Sequence, residues 1–440
     1  MRGSALVPLL PIVAALLGAC GGNEVRHGNE GGSGPGEPAA ATTSFEAGPF
    51  AVAAGGEEVV CSFFRMDNDA PVDVNRLTGR QTEGGHHLVA YTVDHPIESA
   101  PIACPQGGQP GWTMLFATQL PEETVAMPDG VGLTLAPHQQ IVLETHFINA
   151  TDRELQVTSS VELEHAAEGS VKERAAVFLF GTTNIDVAPR SSAQGRATCS
   201  PPDDIHLFRL FGHEHRLGAG VRVEVGPKGG PLEEIYVSKD WEDPPVQELR
   251  REVGPGSSVR VTCDWDNPTD ARVMYPDEMC FAVGMYWPSQ GQLFCTTSGL
   301  REECRCFYTG TRHLGPGSSE VTVRVGREDH IPGVQGDPTG GHHLYCRLYL
   351  PEDWDKSGID ARPAYTADVG HVPLARATDR AELTFHDVSP GHYQLYCFMD
   401  TVGGGFVPGP GAPSFTGDGP IVVEEGGRET IDVRLNAAVE

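Results

Sequence analysis

Gly220-Val-Arg-Val-Glu-Val225 alternates apolar and polar side chains residue by residue. That is the period of a chain whose successive side chains leave opposite faces of a pleated sheet. Outward from it in both directions the same kind of short run recurs, in Glu58-Val-Val-Cys-Ser-Phe-Phe64, Gln140-Ile-Val-Leu-Glu-Thr-His-Phe-Ile148 and Leu155-Gln-Val-Thr-Ser-Ser-Val-Glu-Leu163. Clusters of Gly, Pro, Asn and Asp separate the runs and supply turn conformations. Long amphipathic helices are not evident. The pattern predicts an all-β chain of antiparallel sandwiches.

The 440 residues suit two or three domains. Met1-Arg2 and an apolar run ending Leu16-Leu-Gly-Ala-Cys20 have the charged start, apolar middle and small-residue cleavage region of an export signal. Its ending resembles a bacterial lipoprotein signal, which makes 1–19 the signal peptide and Cys20 the lipidated first residue. Residues 20–44 are rich in Gly, Pro, Ala and Ser, too poor in large apolar groups to offset ordering entropy, and are expected as a flexible tether. The first sandwich is expected over 45–170 and the second over 171–312, starting near Ala175-Ala-Val-Phe-Leu-Phe180. A third, smaller immunoglobulin-like or transthyretin-like sandwich is expected over 313–440, with strands at Glu320–Val325, Leu344–Leu350, Ala381–Phe385, Tyr393–Phe398, Pro420–Glu424 and Glu429–Leu435. Gly21, in place of an Asp after the lipidated cysteine, favours anchorage through the acyl chain to a bacterial outer membrane, periplasmic or surface-facing.

The chain carries 31 basic and 60 acidic side chains, a formal charge of -29. Such a balance argues against nucleic acid or an anionic membrane surface as partner. Eleven cysteines in an exported chain read as disulfides, ten of them remaining once Cys20 is set aside. Cys346 and Cys397 lie inside strand candidates and can bridge, leaving Cys304 and Cys306 as a close pair; sequence does not decide among the pairings of these four.

Six metal-ligand candidates stand out: His86, His87, His146, His213, His215 and Met279. Imidazole suits several transition metals, but a thioether suits copper, above all Cu(I), and is a poor ligand for zinc, magnesium or calcium. His213 and His215 are one residue apart and on a strand would leave the same face. His213-Glu-His215 lacks the His-Glu-x-x-His helical spacing of a zinc protease. His86 and His87 are adjacent and would point apart on a regular strand, so sharing a metal requires a bulge, which Gly84-Gly85 permits. Gly341-His-His-Leu344 repeats Gly85-His-His-Leu88, but no second motif completes a third site there.

Gly85-His-His-Leu-Val-Ala-Tyr91, Leu143-Glu-Thr-His-Phe147, Gly212-His-Glu-His-Arg-Leu-Gly218 and Glu278-Met-Cys280 running on to Tyr286-Trp-Pro288 resemble the type II copper, ascorbate-dependent monooxygenases. This is the family of dopamine β-monooxygenase and peptidylglycine α-hydroxylating monooxygenase, and the likeness covers roughly residues 45 to 300. The resemblance implies two jelly-roll-like sandwiches side by side with two coppers per chain. Copper 1, on His86, His87 and His146, would store and deliver an electron; copper 2, on His213, His215 and Met279, would bind O2 and the substrate. The resemblance pairs Cys61 with Cys104, Cys199 with Cys295, and Cys263 with Cys280. It also compares substrate positions: the peptide-hydroxylating relatives have an arginine where this chain has Phe211, and an asparagine and a tyrosine where it has Phe281 and Val283. An apolar pocket is therefore expected, with Arg209 as the one group able to restore a carboxylate clamp. The expected activity is hydroxylation of a C-H bond in a small, largely apolar molecule, aromatics and amines included, by O2 and an external reductant such as ascorbate. Two other classes stay open at this point: a copper-handling lipoprotein without hydroxylase activity, and an anchored scaffold whose sandwiches bind another surface.

Overall fold

The computed structural model describes residues 24–28, 41–93, 101–104, 112–275, 277–297, 302–310, 317–334, 342–372, 374, 378–401, 408 and 411–439. Cys20 and the signal segment lie outside the described residues. The protein is all-β, in stacked, mainly antiparallel sheets, with one short helix, Pro351–Ser357, among the described residues. No helix among them is long and apolar enough to cross a membrane.

In the first sandwich, Thr42–Val52, Leu155–His165, Val72–Gln81 and Val131–Leu135 form the middle of one sheet. The facing sheet runs Ile102–Ala103, Glu57–Arg65, Gln140–Ile148, Gly85–Val93, Trp112–Thr118. Parts of the segment expected as a tether are strand: Glu24–Gly28 pairs antiparallel with Thr42–Glu46 at the sheet edge. A backbone ladder needs no apolar side chain, so a composition reading misses it. Gln140–Ile148 is a central strand covered on both faces. Ile141 and Leu143 enter the core with Phe45, Leu77 and Phe116, while Val142 packs with Cys61, Phe63 and Tyr91 on the opposite side.

The second sandwich places Gln247–Val253, Ile205–His213, Cys280–Trp287, Ala176–Thr182, Gln292–Thr297 and Cys304–Thr309 in one sheet. Opposite lie Ser191–Cys199, Ser257–Asn267, Gly218–Pro227 and Glu233–Ser238. Period-two alternation divides Cys280–Trp287 between two cores. Cys280, Ala282 and Tyr286 face the second sandwich's interior, and Phe281, Val283 and Met285 face the first sandwich. A register shift between Leu207 and Arg209 resets the phase of the neighbouring strand. Leu207 and Leu210 consequently share the inner core, and Phe208 and Phe211 join the inter-sandwich one.

Beyond it, Ala381–Val388, Ser319–Arg327 and Arg428–Leu435 form a three-stranded sheet over a larger one centred on His342–Tyr349 and Gly391–Met399. Their shared core includes Val323, Leu348, Phe385 and Leu395. Arg305 donates to Asp360 at 2.8 Å and ties this part to the second sandwich.

Five disulfides use the ten described cysteines. Cys61–Cys104, Cys263–Cys280 and Cys346–Cys397 are present. The expected Cys199–Cys295 bridge is not formed, nor do Cys304 and Cys306 pair with each other: the bridges are Cys199–Cys304 and Cys295–Cys306. Cys295 and Cys306 are direct cross-strand partners. Cys199 comes from the opposite sheet, its Sγ 3.9 Å from the Cys295 carbonyl, and bonds Cys304, two residues before Cys306 at the start of the same strand.

Candidate metal centre

The first group of histidines is built by a bulge. Gln140–Ile148 pairs with Gly85–Val93 in strict register until His146 opposes His87; the next partner of Phe147 is Gly85, so His86 has no opposite residue. Gly84, at φ 89, makes the turn that allows this. Adjacent side chains that would diverge on a flat strand thereby converge. The ligand atoms of His86, His87 and His146 all lie within 4.8 Å of one another. Among the described residues no other group of three His, Cys, Asp or Glu is so arranged.

Two carboxylates orient these rings. His146 Nε2 lies 2.7 Å from Glu57 Oε1, and His87 Nε2 lies 3.3 Å from Glu144 Oε1. The buried Glu144 also accepts the Tyr91 hydroxyl at 3.1 Å. A carboxylate only accepts, so Nε2 carries a proton in each ring, and in a neutral ring Nδ1 is left with its lone pair. His146 Nδ1 is buried with no hydrogen-bond partner. Burial, then His87, His146 and His215, lower His86 to about 4. Burial and His87 lower His146 too, against the opposing pull of Glu57 and Glu144. Converging imidazole nitrogens, with His86 and His146 held toward the neutral form, are what a transition metal requires, so this donor set fits a metal ion.

The second group forms where the strand Ile205–His213 ends. His215 lies just past the strand, in the turn closed by Gly218 N donating to the His215 carbonyl at 2.9 Å, not within the strand as the spacing suggested. The two rings still meet, with centroids 5.2 Å apart. Glu278, fully buried, organises the backbone around them. Its Oε1 accepts His215 N at 2.6 Å and Met279 N at 2.9 Å, and its Oε2 accepts Leu217 N at 3.0 Å. One carboxylate thus binds the chain at His215 to the chain at Met279, beside the Cys263–Cys280 bridge. Burial holds His213 well below the usual imidazole range, followed by His215, His87 and His86. His215 of the second group thus helps lower His86 of the first, and His86 and His87 help lower His213.

The chain is similar to DBH-like monooxygenase protein 1. The human protein is 24% identical over 205 residues, covering 40% of this chain and 33% of the relative. The mouse protein is 24% identical over 214 residues, covering 42% and 35%. The matches thus span about a third of the length of these curated relatives. No protein-family model matches. Among solved structures, a leucine-rich repeat protein from Bacteroides thetaiotaomicron covers 52% of this chain and 27% of its own, at 10% identity and a TM-score of 0.18. The relationship to the DBH-like proteins is distant and reaches a monooxygenase-like family, not an activity.

Phe211, Phe281 and Val283 share the face of His213, as the spacing required, with Phe211 opposite Val283 and His213 opposite Phe281. All three are buried in the core that joins the two sandwiches, because the first sandwich covers the face that local sequence leaves bare. Arg209 is likewise engaged: its guanidinium pairs with Glu123 of the first sandwich, both groups buried. It is thus not free to clamp a substrate carboxylate. Glu57, Glu144, Glu278 and Gln119 escaped the sequence reading. For Glu144 a signal existed, since it is the one carboxylate in the strand-like run Ile141–Phe147 and stands two residues before His146.

Proposed function

We propose that the chain is a copper-dependent monooxygenase, with copper 1 held by His86, His87 and His146 and copper 2 by His213, His215 and Met279. The observation that carries the reading is the convergence of His86, His87 and His146, with a second, unlike pair of histidines nearby. The first group offers three converging imidazoles; the other has two imidazoles whose rings meet, with the backbone at His215 and at Met279 tied together by Glu278. Distant similarity to DBH-like monooxygenase protein 1 supports it. Bound copper supplies one-electron redox chemistry, and Met279 biases its site toward the reduced metal. The overall change converts R-H, O2, two electrons and two protons into R-OH and water, the electrons coming from an external reductant such as ascorbate.

The protein's own residues set the geometry. Glu57 and Glu144 hold the tautomers of His146 and His87. The substrate class we assign is a small, largely apolar molecule, aromatics and amines included, because Arg209, the one group expected to be able to clamp a carboxylate, is already paired with Glu123. Copper titration of the metal-free chain should give two equivalents. Ascorbate-driven oxygen uptake against amines, aromatics and glycine-extended peptides should find the peptides poorest. One equivalent of copper, or uptake without substrate turnover, defeats the proposal.

A further inference from the structure

Gln119 follows the strand Trp112–Thr118 of the first sandwich and is buried at the interface. Its Nε2 donates to two main-chain carbonyls of the second sandwich, Trp241 at 3.2 Å and Glu242 at 3.5 Å. Its Oε1 lies 3.2 Å from His213 Nδ1. The amide orientation is forced, because a flipped amide would press its oxygen against two carbonyl oxygens and turn its N–H groups away from them. An amide oxygen only accepts, so Nδ1 of His213 must carry the proton, and in the neutral ring Nε2 is bare.

The carbonyls that Gln119 grips belong to the connection between Glu233–Ser238 and Gln247–Val253. Asp240 stiffens that connection by accepting Glu242 N at 3.2 Å and Asp243 N at 2.9 Å. Its Trp241 ring stands edge-on to His86 with centroids 6.0 Å apart. A single side chain of the first sandwich therefore touches a histidine of the second group and the loop that covers a histidine of the first.

We propose that Gln119 is a positioning residue for both histidine groups, fixing His213 as the Nδ1–H tautomer and holding Trp241 over His86. The tautomer is independent of any metal. Its use, to present Nε2 as a ligand atom, rests on the proposed role of His213.

The test uses the metal-free full chain, labelled with 15N-histidine, at about pH 8, where an ordinary imidazole is neutral. The His213 signals are assigned by their loss in His213→Gln. Wild type should show a protonated, pyrrole-type Nδ1 and a bare, pyridine-type Nε2. Gln119→Glu keeps an acceptor for Nδ1–H but loses the donor to the two carbonyls. It should leave the tautomer unchanged while Trp241 emission, assigned by difference from Trp241→Phe, shifts to the red and becomes more open to acrylamide. Gln119→Ala should lose both signatures. Wild-type His213 protonated at Nε2, or Trp241 emission unaltered in Gln119→Glu, overturns the proposal, and neither result depends on whether Gln119→Ala folds. Should wild type show the expected tautomer yet bind no copper, the ligand reading fails and the positioning role stands.

Discussion

Replacing Glu123 with Gln tests whether the two sandwiches are locked together. Arg209 is 2% exposed and Glu123 8% exposed, and each is the other's ion-pair partner. Arg209 Nε is buried without a partner, and burial already lowers the guanidinium to about 10, with Glu248 pulling the other way. Glutamine keeps the shape of Glu123 but leaves Arg209 as an uncompensated buried cation, which costs about 3–5 kcal/mol. Glu248, opposite Arg209 on the neighbouring strand, offsets part of that. Arg209→Met should cost less, since the abandoned Glu123 can take up a proton and lose its charge. The double replacement Arg209→Met with Glu123→Leu should come back close to wild type, as buried pairs exchanged for apolar groups commonly do. Urea unfolding of the metal-free chain measures all three, with changes in midpoint at constant slope counted as stability. Equal costs for the two single variants, or a cost for Glu123→Gln below about 1 kcal/mol, the range of an exposed pair, would refute the closed interface.

Met279→Ile should leave Cu(II) binding largely intact and remove the sulfur signal from X-ray absorption of the reduced, copper-loaded protein; absence of sulfur in the wild type rejects Met279 as a ligand. Glu214 is raised to about 8 by burial first, then by Glu278 and Asp264, against a hydrogen bond from Gly220. Its folded value exceeds its unfolded one, so the folded chain retains a proton that the unfolded chain has lost, and stability falls as pH rises from about 4.5 to about 8. Glu214→Gln should flatten that fall in melting temperatures of the metal-free protein; parallel wild-type and variant curves contradict it. Cys20→Ser should release the protein from membranes or block its maturation, and wild type found wholly in the soluble fraction dismisses the anchor.

Much of this was legible because it is local. Period-two alternation marks Gly220–Val225 and Gln140–Ile148 wherever they pair, and Gly84-Gly85 announces the bulge two residues from the histidines that need it. Distant pairings were not legible. Cys295 meets Cys306 because of a register between strands, and nothing in either segment states that register. Phe211, Phe281 and Val283 were placed on the correct face, but only the assembled chain shows that another sandwich covers it. One repeated signal was available and overlooked. Asn149-Ala-Thr151-Asp and Asn267-Pro-Thr269-Asp recur at the ends of strands in the two sandwiches. Asn149 Nδ2 donates to the carbonyls of Val52, Ala53 and Arg153 while its Oδ1 accepts from Thr151. Asn267 does the same with Val187, Ala188, Ala271 and Thr269.

If Met279 holds copper as proposed, the Cys263–Cys280 bridge also imposes an order of assembly. Cys280 adjoins Met279, and a free thiolate is a stronger ligand for Cu(I) than a thioether. In a chain whose bridges have not closed, Cys280 would compete with the neighbouring methionine and capture the metal in an unproductive coordination. Oxidation removes that competitor and leaves the weaker sulfur as the one available. Under the copper reading, the chain must therefore be oxidised before it is metallated, and metal supplied in a reducing compartment would arrive too early.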